Sequence, residues 1–445
     1  MQGSVAVIGG GLAGSEAAWQ IARRGMAVTL YEMRPEEQTP AHETGEFAEL
    51  VCSNSLGSRL VDRPTGLLQE ELRRLGALLI EVAYSTAVPA GGALAVDRHT
   101  FAETTTRRLE AEPLIDIRRE CVSDLPKLGV CVLATGPLTA AALSTSLQQR
   151  LGQDSLSFYD AMAPIVEADS LDMSVCFRAS RYDRGEQNEG DYINCPMDRG
   201  EYERFVHELR CAERARLRGF EREDQRFFEA CLPVEELARR GERTLAFGPL
   251  RPKGLTDPRS GDRPYAVVQL RQDDAAASLY NIVGFQTNLT YSEQARVFRL
   301  IPGLQTARFV RYGQMHRNTF LNAPRLLTPS LHLTCAPRVL MAGQLIGVEG
   351  YAGSIGTGLL AGVNAVRHLC GEPPLELPPE TMLGALTRYL TAADPETFQP
   401  MKANFGLLPP LVPPVRGKRD RQSAYSKRAL AALETVLWKS NSEQG

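Results

Sequence analysis

The nine cysteines never fall into a CxxC pair; their number is odd and their spacing scattered. Such usage argues against a zinc ribbon and a disulfide framework, and it suits a reducing cytoplasm with mostly buried thiols. The six histidines supply no metal spacing either. His207 and Cys211 lie one helical turn apart without further ligands, so no metal is expected. Long hydrophobic runs are missing: none approaches the roughly eighteen residues that span a bilayer. The apolar stretch "VAVIGGGLAG" is cut by glycines and lacks a basic leader. It reads as a buried strand rather than a signal peptide, and no membrane is expected among the partners. Neither sign of charge dominates. A net charge of −3 argues against wholesale coating of nucleic acid but not against a local basic patch. Solenoid repeats and long low-complexity tracts are absent as well.

What is present points to a globular protein. At 445 residues, with 43% hydrophobic and 23% charged, the chain is too long for one ordinary core, and two domains, possibly interleaved, are expected. Residues 4–32 read "SVAVIGGGLAGSEAAWQIARRGMAVTLYE". A short apolar strand, 4–8, runs into Gly9-x-Gly11-x-x-Gly14, with Gly10, Leu12 and Ala13 completing the turn and helix start. Gly9 permits the tight turn, Gly11 lets a pyrophosphate approach the backbone, and Gly14 allows close helix–strand packing. The helix start offers free N–H groups and a positive dipole end to phosphates. A second strand, 27–31, ends in Glu32, eighteen residues after Gly14, where a carboxylate can accept ribose hydroxyls. A bare GxGxxG is weak; between two strands and followed by an acid at this distance, it reads as a dinucleotide site.

Two later stretches narrow the dinucleotide. "GVCVLATG" at 129–136 is an apolar strand ending in Ala-Thr-Gly. Residues 338–369, "RVLMAGQLIGVEGYAGSIGTGLLAGVNAVRHL", give a strand, then Gly343-Gln344, then a small-residue helix start at 354–358 that includes Gly356 and Thr357. Ile355, Leu359, Val363, Val366 and Leu369 then recur at helical spacing. Together these segments resemble the α/β, glutathione-reductase-type FAD-binding Rossmann fold, with the FAD held from both ends of the chain. No second GxGxxG follows a strand, so NADH or NADPH would visit the flavin through a shared pocket. The flavin domain is then discontinuous, 1–145 and 312–370, with an inserted α+β domain at 146–311 and a proline-punctuated, helical segment at 371–445. An amphipathic helix is predicted around 66–84, where Leu68, Leu72, Leu75 and Leu79 share a face. A second, at 97–110, is capped by Asp97. The insertion mixes strand-like alternation at 265–270 with an arginine-dense stretch at 199–226, most simply a solvated helix face.

Six stretches, "ELVCSNSLGS" (49–58), "FFEACLPVEE" (227–236), "FGPLRPKGL" (247–255), "GFQTNLTY" (284–291), "GQLIGVEGYAGS" (343–354) and "ANFGLLPPL" (403–411), resemble the TrmFO family. These are folate- and FAD-dependent tRNA (uracil-5-)-methyltransferases, related by fold to the larger GidA/MnmG flavoproteins. The resemblance covers essentially the whole chain. It implies methylation of uridine C5 in the tRNA T loop, at position 54, with 5,10-methylenetetrahydrofolate as carbon source, NAD(P)H as reductant, tRNA as substrate and no obligatory protein partner. Uracil C5 is a poor nucleophile, and a thiolate adding at C6 is what activates it.

On the residues that match the family motifs, Cys231 is the expected nucleophile, Cys52 an assisting thiol near the flavin, and Tyr351 a stacking residue beside it. As bare residues the two cysteines could equally be buried structural thiols, and Tyr351 core packing. For folate the polar candidates are His316, Asn288 and Glu349; His316 could also be a satisfied turn residue. Arg251, Lys253, Lys418, Arg419 and Arg421 are the candidates for tRNA phosphates, contacts that position without specifying. Two other readings stand beside this one: a GidA/MnmG-like modifier of wobble uridine, and a flavin NAD(P)H oxidase without an RNA substrate.

Overall fold

The apolar runs at the N-terminus and in mid-chain become neighbours. In the computed structural model, which describes residues 5–126, 129–152, 156–183, 190–215 and 232–442, Val5–Ile8 lies between Val28–Tyr31 and Val130–Leu133, parallel to both. The six-stranded sheet runs in the order 332–333, 336–341, 130–133, 5–8, 28–31, 115–118, antiparallel only at the 332–333 edge. Val130–Leu133 is buried throughout, as a central strand covered on both faces must be.

Small residues bring the two ends of the chain together. Helix Leu12–Ala22 crosses helix Tyr351–Cys370 so closely that a Cβ on Gly358 would stand 2.2 Å from the Ala13 carbonyl oxygen, and one on Gly362 would stand 2.6 Å from that of Ala17. Any larger side chain would force the helices apart. The second helix begins at Tyr351, a turn before the start expected at 354.

The leucine face expected on one helix at 66–84 is divided between two, Pro64–Arg74 and Leu78–Ser85. Gly76, at φ +75°, ends the first helix, and its carbonyl accepts from Gln20 Nε2 at 3.0 Å and Arg23 Nη1 at 2.7 Å. Glu16 caps the second by accepting from the Leu78 and Leu79 amides at 3.2 and 3.0 Å. Periodicity alone runs straight through this break. Asp97 caps its helix as expected, accepting from the Thr100 amide at 2.9 Å.

A second, antiparallel sheet has its own core. Its strands lie in the order 177–179, 192–197, 266–272, 279–282, 165–167, 309–311. Ile193, Leu270 and Ile282 form one cross-strand row on the face that packs with Phe205, Phe285 and Phe298. The opposite face carries Tyr192, Arg271 and Asn281 in register, continuing through Ile165 to Arg311. This polar face is buried against the first half of the molecule. Among the described residues no helix is long and apolar enough to cross a membrane. The expectation of mostly buried thiols holds only in part: of the eight described cysteines, Cys131, Cys176 and Cys195 are buried and the others are half-buried or exposed, because several sit at helix ends and in loops.

Two buried carboxyls give the fold a pH signature. Glu71 accepts from the Met382 and Leu383 amides at 2.7 and 3.0 Å, capping helix Met382–Ala392. Burial pushes both Glu16 and Glu71 up to about 7, against the pull of those amides. A raised folded pKa means the native state keeps protons that the unfolded chain has released, so stability falls as pH rises from about 4.5 to about 7. Glu71→Gln should therefore flatten the decline in Tm between about pH 5 and about pH 7.5, an effect on the order of 1–3 kcal/mol. Parallel thermal melts of variant and parent check it, and equal slopes would show that Glu71 does not titrate in that window.

Candidate functional site

The two glycine-rich turns face each other across an open cleft of about 800 Å³, lined by Gly9, Gly11, Ala13, Glu32, Val51, Thr135, Gly343, Gln344, Tyr351 and Ser354 among others. A second hollow of about 370 Å³ shares Gly9, Glu32 and Thr135 with it and adds Glu120, Cys121 and Thr139, so the space is elongated. Each glycine has a separate cause. Gly9, at φ +102°, has no room for a Cβ, which would meet the Ala134 oxygen at 2.6 Å; a Cβ on Gly14 would meet the Gly9 oxygen at 1.8 Å. Gly343 abuts the Ala13 Cβ. A Cβ on Gly11 would meet nothing within 4 Å. The first three are required by the protein itself, whereas the space before Gly11 belongs to whatever fills the cleft.

Both helices that cross behind the cleft start without a side-chain cap, at Gly11 and at Gly350. Their uncapped amides and dipole ends supply positive potential without a cation. Glu32 lies in the cleft wall, and its carboxylate is already shared. Oε2 accepts from the Gly10 amide at 2.7 Å and Oε1 from Arg34 Nε at 2.9 Å. Burial would raise its pKa, but the Arg34 cation and these bonds hold it below the usual carboxylate range. Arg34, itself buried, also reaches Glu49 at 3.1 Å. An elongated space with the open Gly11 backbone on its wall and the Glu32 carboxylate where the two hollows meet fits a dinucleotide such as FAD. Gly356 and Thr357 lie outside the lining. A Cβ on Gly356 would meet Leu383 and Leu72, and the Thr357 hydroxyl accepts from the Gly343 amide at 3.0 Å, bracing the turn from behind.

Cys52 stands on a loop held from several sides. Tyr351 Oη accepts from the Cys52 amide at 3.0 Å and the Ser53 amide at 3.1 Å. Arg98 Nη1 donates to the Leu50 carbonyl at 3.0 Å, Arg311 Nη2 to the Val51 carbonyl at 3.0 Å, and Arg271 Nε to Asn54 Oδ1 at 2.9 Å. Asn54, fully buried, in turn donates to the Val96 and Gln272 carbonyls. Arg98 is neutralised by Asp273 at 2.9 Å. Burial, with the neighbouring Cys52, raises the Tyr351 phenol above its usual value. The Arg271–Asn281–Ile165–Arg311 row of the second sheet thus lies beneath residues 51–54, with an arginine at each end. None of Arg98, Arg271, Arg311 or Arg34 stands out in the sequence, whereas Asn54 does so as a polar follower of Cys52 able to donate hydrogen bonds. For the arginines the one available signal is the pair Gln269 and Arg271 flanking Leu270 in a strand that begins apolar.

Cys231 lies outside the described residues; the segment after it does not. The Val234 amide donates to the Gln286 carbonyl at 2.7 Å, and Glu235 accepts from the Asn288 amide at 2.7 Å and from Thr287 Oγ1 at 2.9 Å. The Asn288 side chain donates to the Ala215 carbonyl at 3.3 Å. Thr287 packs against Gly313, two residues from Arg311, which holds Val51. Asn288 therefore ties Ala215 to the segment that follows Cys231. Glu349 is buried and accepts from Gln344 Nε2 at 3.2 Å. His316 pairs in the ladder with Asp160. Arg251 and Lys253 are exposed on a loop of the second core, while Lys418, Arg419 and Arg421 are exposed at the start of the C-terminal helix Lys418–Ser442, which docks near Pro64–Arg74. Among the described residues no cluster assembles that could hold a metal ion.

Fold and cleft define a dinucleotide-binding protein of the GidA type. The family model of glucose inhibited division protein A matches residues 4–373. The solved structure of Aquifex aeolicus GidA superposes with a TM-score of 0.71 over 98% of this chain and 73% of that one, at 16% identity, which speaks for the fold alone. Proteins from Thermosynechococcus vestitus and Heliobacterium modesticaldum are 59% and 56% identical to this chain, over 97% and 98% of it and 94% and 98% of their own lengths. Both are named methylenetetrahydrofolate--tRNA-(uracil-5-)-methyltransferase TrmFO. The chain belongs to the TrmFO family, within the wider glucose inhibited division protein A fold.

Because the space before Gly11 is empty of protein, Gly11→Val should leave the fold intact and remove the flavin. The purified variant should show wild-type far-UV circular dichroism, no visible flavin absorbance and an FAD affinity reduced by about a hundredfold or more. A variant that stays fully yellow would mean that no phosphate approaches this turn.

Proposed function

We propose that this chain methylates C5 of uridine in the tRNA T loop, at position 54, using 5,10-methylenetetrahydrofolate and NAD(P)H. The observation that carries the reading is the identity above 55% with the named relatives over nearly the whole chain. The glycine turns and uncapped helix starts would hold FAD, with Gly9, Gly10, Gly11, Leu12, Ala13, Gly14 and Glu32 at one end and Gly343 and Gln344 at the other. FAD, when bound, supplies the reducing chemistry. The Cys231 thiolate would add at C6 of the target uracil, turning C5 into a nucleophile for the one-carbon unit. Cys52 would assist from its fixed loop, with Tyr351 locking the loop's backbone so that the thiol meets the cleft in one orientation. His316 and Glu349 remain candidates for folate contacts, whereas the Asn288 side chain is already engaged in bracing. Arg251, Lys253, Lys418, Arg419 and Arg421 would meet tRNA phosphates.

The test is direct. Purified protein, an unmodified tRNA transcript, NAD(P)H and folate labelled in the methylene carbon should yield labelled 5-methyluridine at position 54. S-adenosylmethionine in place of the folate should yield none. Cys231→Ala should abolish methylation and the covalent adduct with 5-fluorouridine tRNA; Cys52→Ala should slow turnover about tenfold or more while adduct formation persists. Label in the anticodon would transfer the chain to wobble modification. Adduct loss in Cys52→Ala with retention in Cys231→Ala would exchange the two roles.

A further inference from the structure

The loop 247–254 and Arg243 before it combine exposed aromatic surface with cations that form no ion pair among the described residues. Phe247, at the end of the short helix Thr244–Phe247, is 67% exposed although it is a large apolar residue. The Arg243 guanidinium lies 5.0 Å over one face of its ring. Further along, Leu250 and Pro252 point into the core while Arg251 and Lys253 point out. Arg243, Arg251 and Lys253 are all exposed, and none is paired with a carboxylate among the described residues.

The far end of the loop carries a second ring. Tyr182 is 54% exposed and sits in the left-handed region at φ 58°, ψ 31°, a conformation that strains a tyrosine backbone. Its ring lies flat against Gly254, where an added Cβ would stand 3.0 Å from it. Arg181 fixes the arrangement, donating through Nη1 to the Arg251 and Lys253 carbonyls at 2.6 and 2.9 Å, and through Nε to Gln269 at 2.7 Å. With its backbone tied in this way, the loop holds its cations outward. Gln269 lies on the same strand face as Arg271, two residues on, so the platform stands at one end of the polar sheet face that carries the Cys52 loop further along.

We propose that Phe247 and Tyr182, with Arg243, Arg251 and Lys253, form a stacking platform for unpaired nucleotides of the RNA substrate next to the target base. Solvent-exposed rings interleaved with unpaired cations are what single-stranded RNA recognises: bases stack on the rings while phosphates meet the cations. An apolar protein partner would leave the three cations uncompensated. The platform rests on the tRNA reading above and adds where the RNA lies.

Phe247→Ala and the double variant Arg251→Ala/Lys253→Ala, prepared as holoenzymes, test it against an unmodified tRNA transcript. Phe247→Ala should weaken binding about tenfold with little change in salt dependence. The double variant should weaken binding and lower the slope of log K against log[salt] by roughly one to two. Flavin content and melting temperature report the integrity of the fold. Tyr182→Asn relieves the left-handed backbone, so it should keep or raise Tm while lowering RNA affinity, an outcome a purely structural tyrosine would not give. Wild-type affinity and salt slope in all three variants, with the parent methylating tRNA normally, would overturn the platform. Absence of methylation by the parent would instead overturn the reading of function.

Discussion

The hydrogen bond from Arg271 to Asn54 ties together parts of the molecule that the chain keeps 217 residues apart. Asn54 sits on the thiol loop of the first half; Arg271 sits on the polar face of the second sheet. Around them Arg98 joins Asp273 and the Leu50 carbonyl, and Arg311 joins the Val51 carbonyl. A buried polar face is costly unless every group finds a partner of the right geometry. The loop 50–54 partners Arg271 and Arg311, Ala90 partners Tyr192, and Asn281 Nδ2 on the same face has no hydrogen-bond partner among the described residues. Two separately packed cores thereby share one orientation, and Cys52 lies where they meet.

The cleft has a different origin. It exists because Gly358 and Gly362 let helix Tyr351–Cys370 touch helix Leu12–Ala22 backbone to backbone. That contact brings two uncapped helix starts to the same space, whose lining joins glycine backbone to the side chains of Glu32, Gln344 and Tyr351. Tyr351 joins the cleft to the seam. It is the first residue of the second helix, lines the cleft, and accepts the Cys52 and Ser53 amides. A change in the packing of that helix would thus be felt directly at the thiol loop.

What could be read from the sequence follows from range. The strand–glycine–helix unit, the distant acid at Glu32 and the small-residue helix of the C-terminal half are local patterns with local causes, and they led to the right fold class. Helix 97–110 and its Asp97 cap are local too. The break at Gly76 was not legible, because the residues that stabilise it, Gln20, Arg23 and Glu16, come from another helix. The arginines of the seam were hidden for the same reason. Gln269 and Arg271 alternate with Leu270, but alternation shows that a face is polar, not whether it meets water or protein. At Glu32 the carboxylate expected for a ribose is also the acceptor for Gly10 and Arg34, a double duty that no spacing rule reveals.

An apolar contact between the two cores would have been simpler to stabilise, since buried ion pairs rarely add net stability over well-packed hydrophobic residues. What they add is direction. Apolar surfaces can slide by an ångström with little loss, whereas Arg98 can meet Asp273 and the Leu50 carbonyl together in one arrangement only. A side chain on a loop held in this way keeps its place within displacements of that size. The seam directs three arginines at residues 50–54 and adds bonds at Ala90, Gly91 and Asp97 on either side of them. Three arginines converging on one five-residue loop fix the backbone that carries Cys52 more tightly than packing alone would.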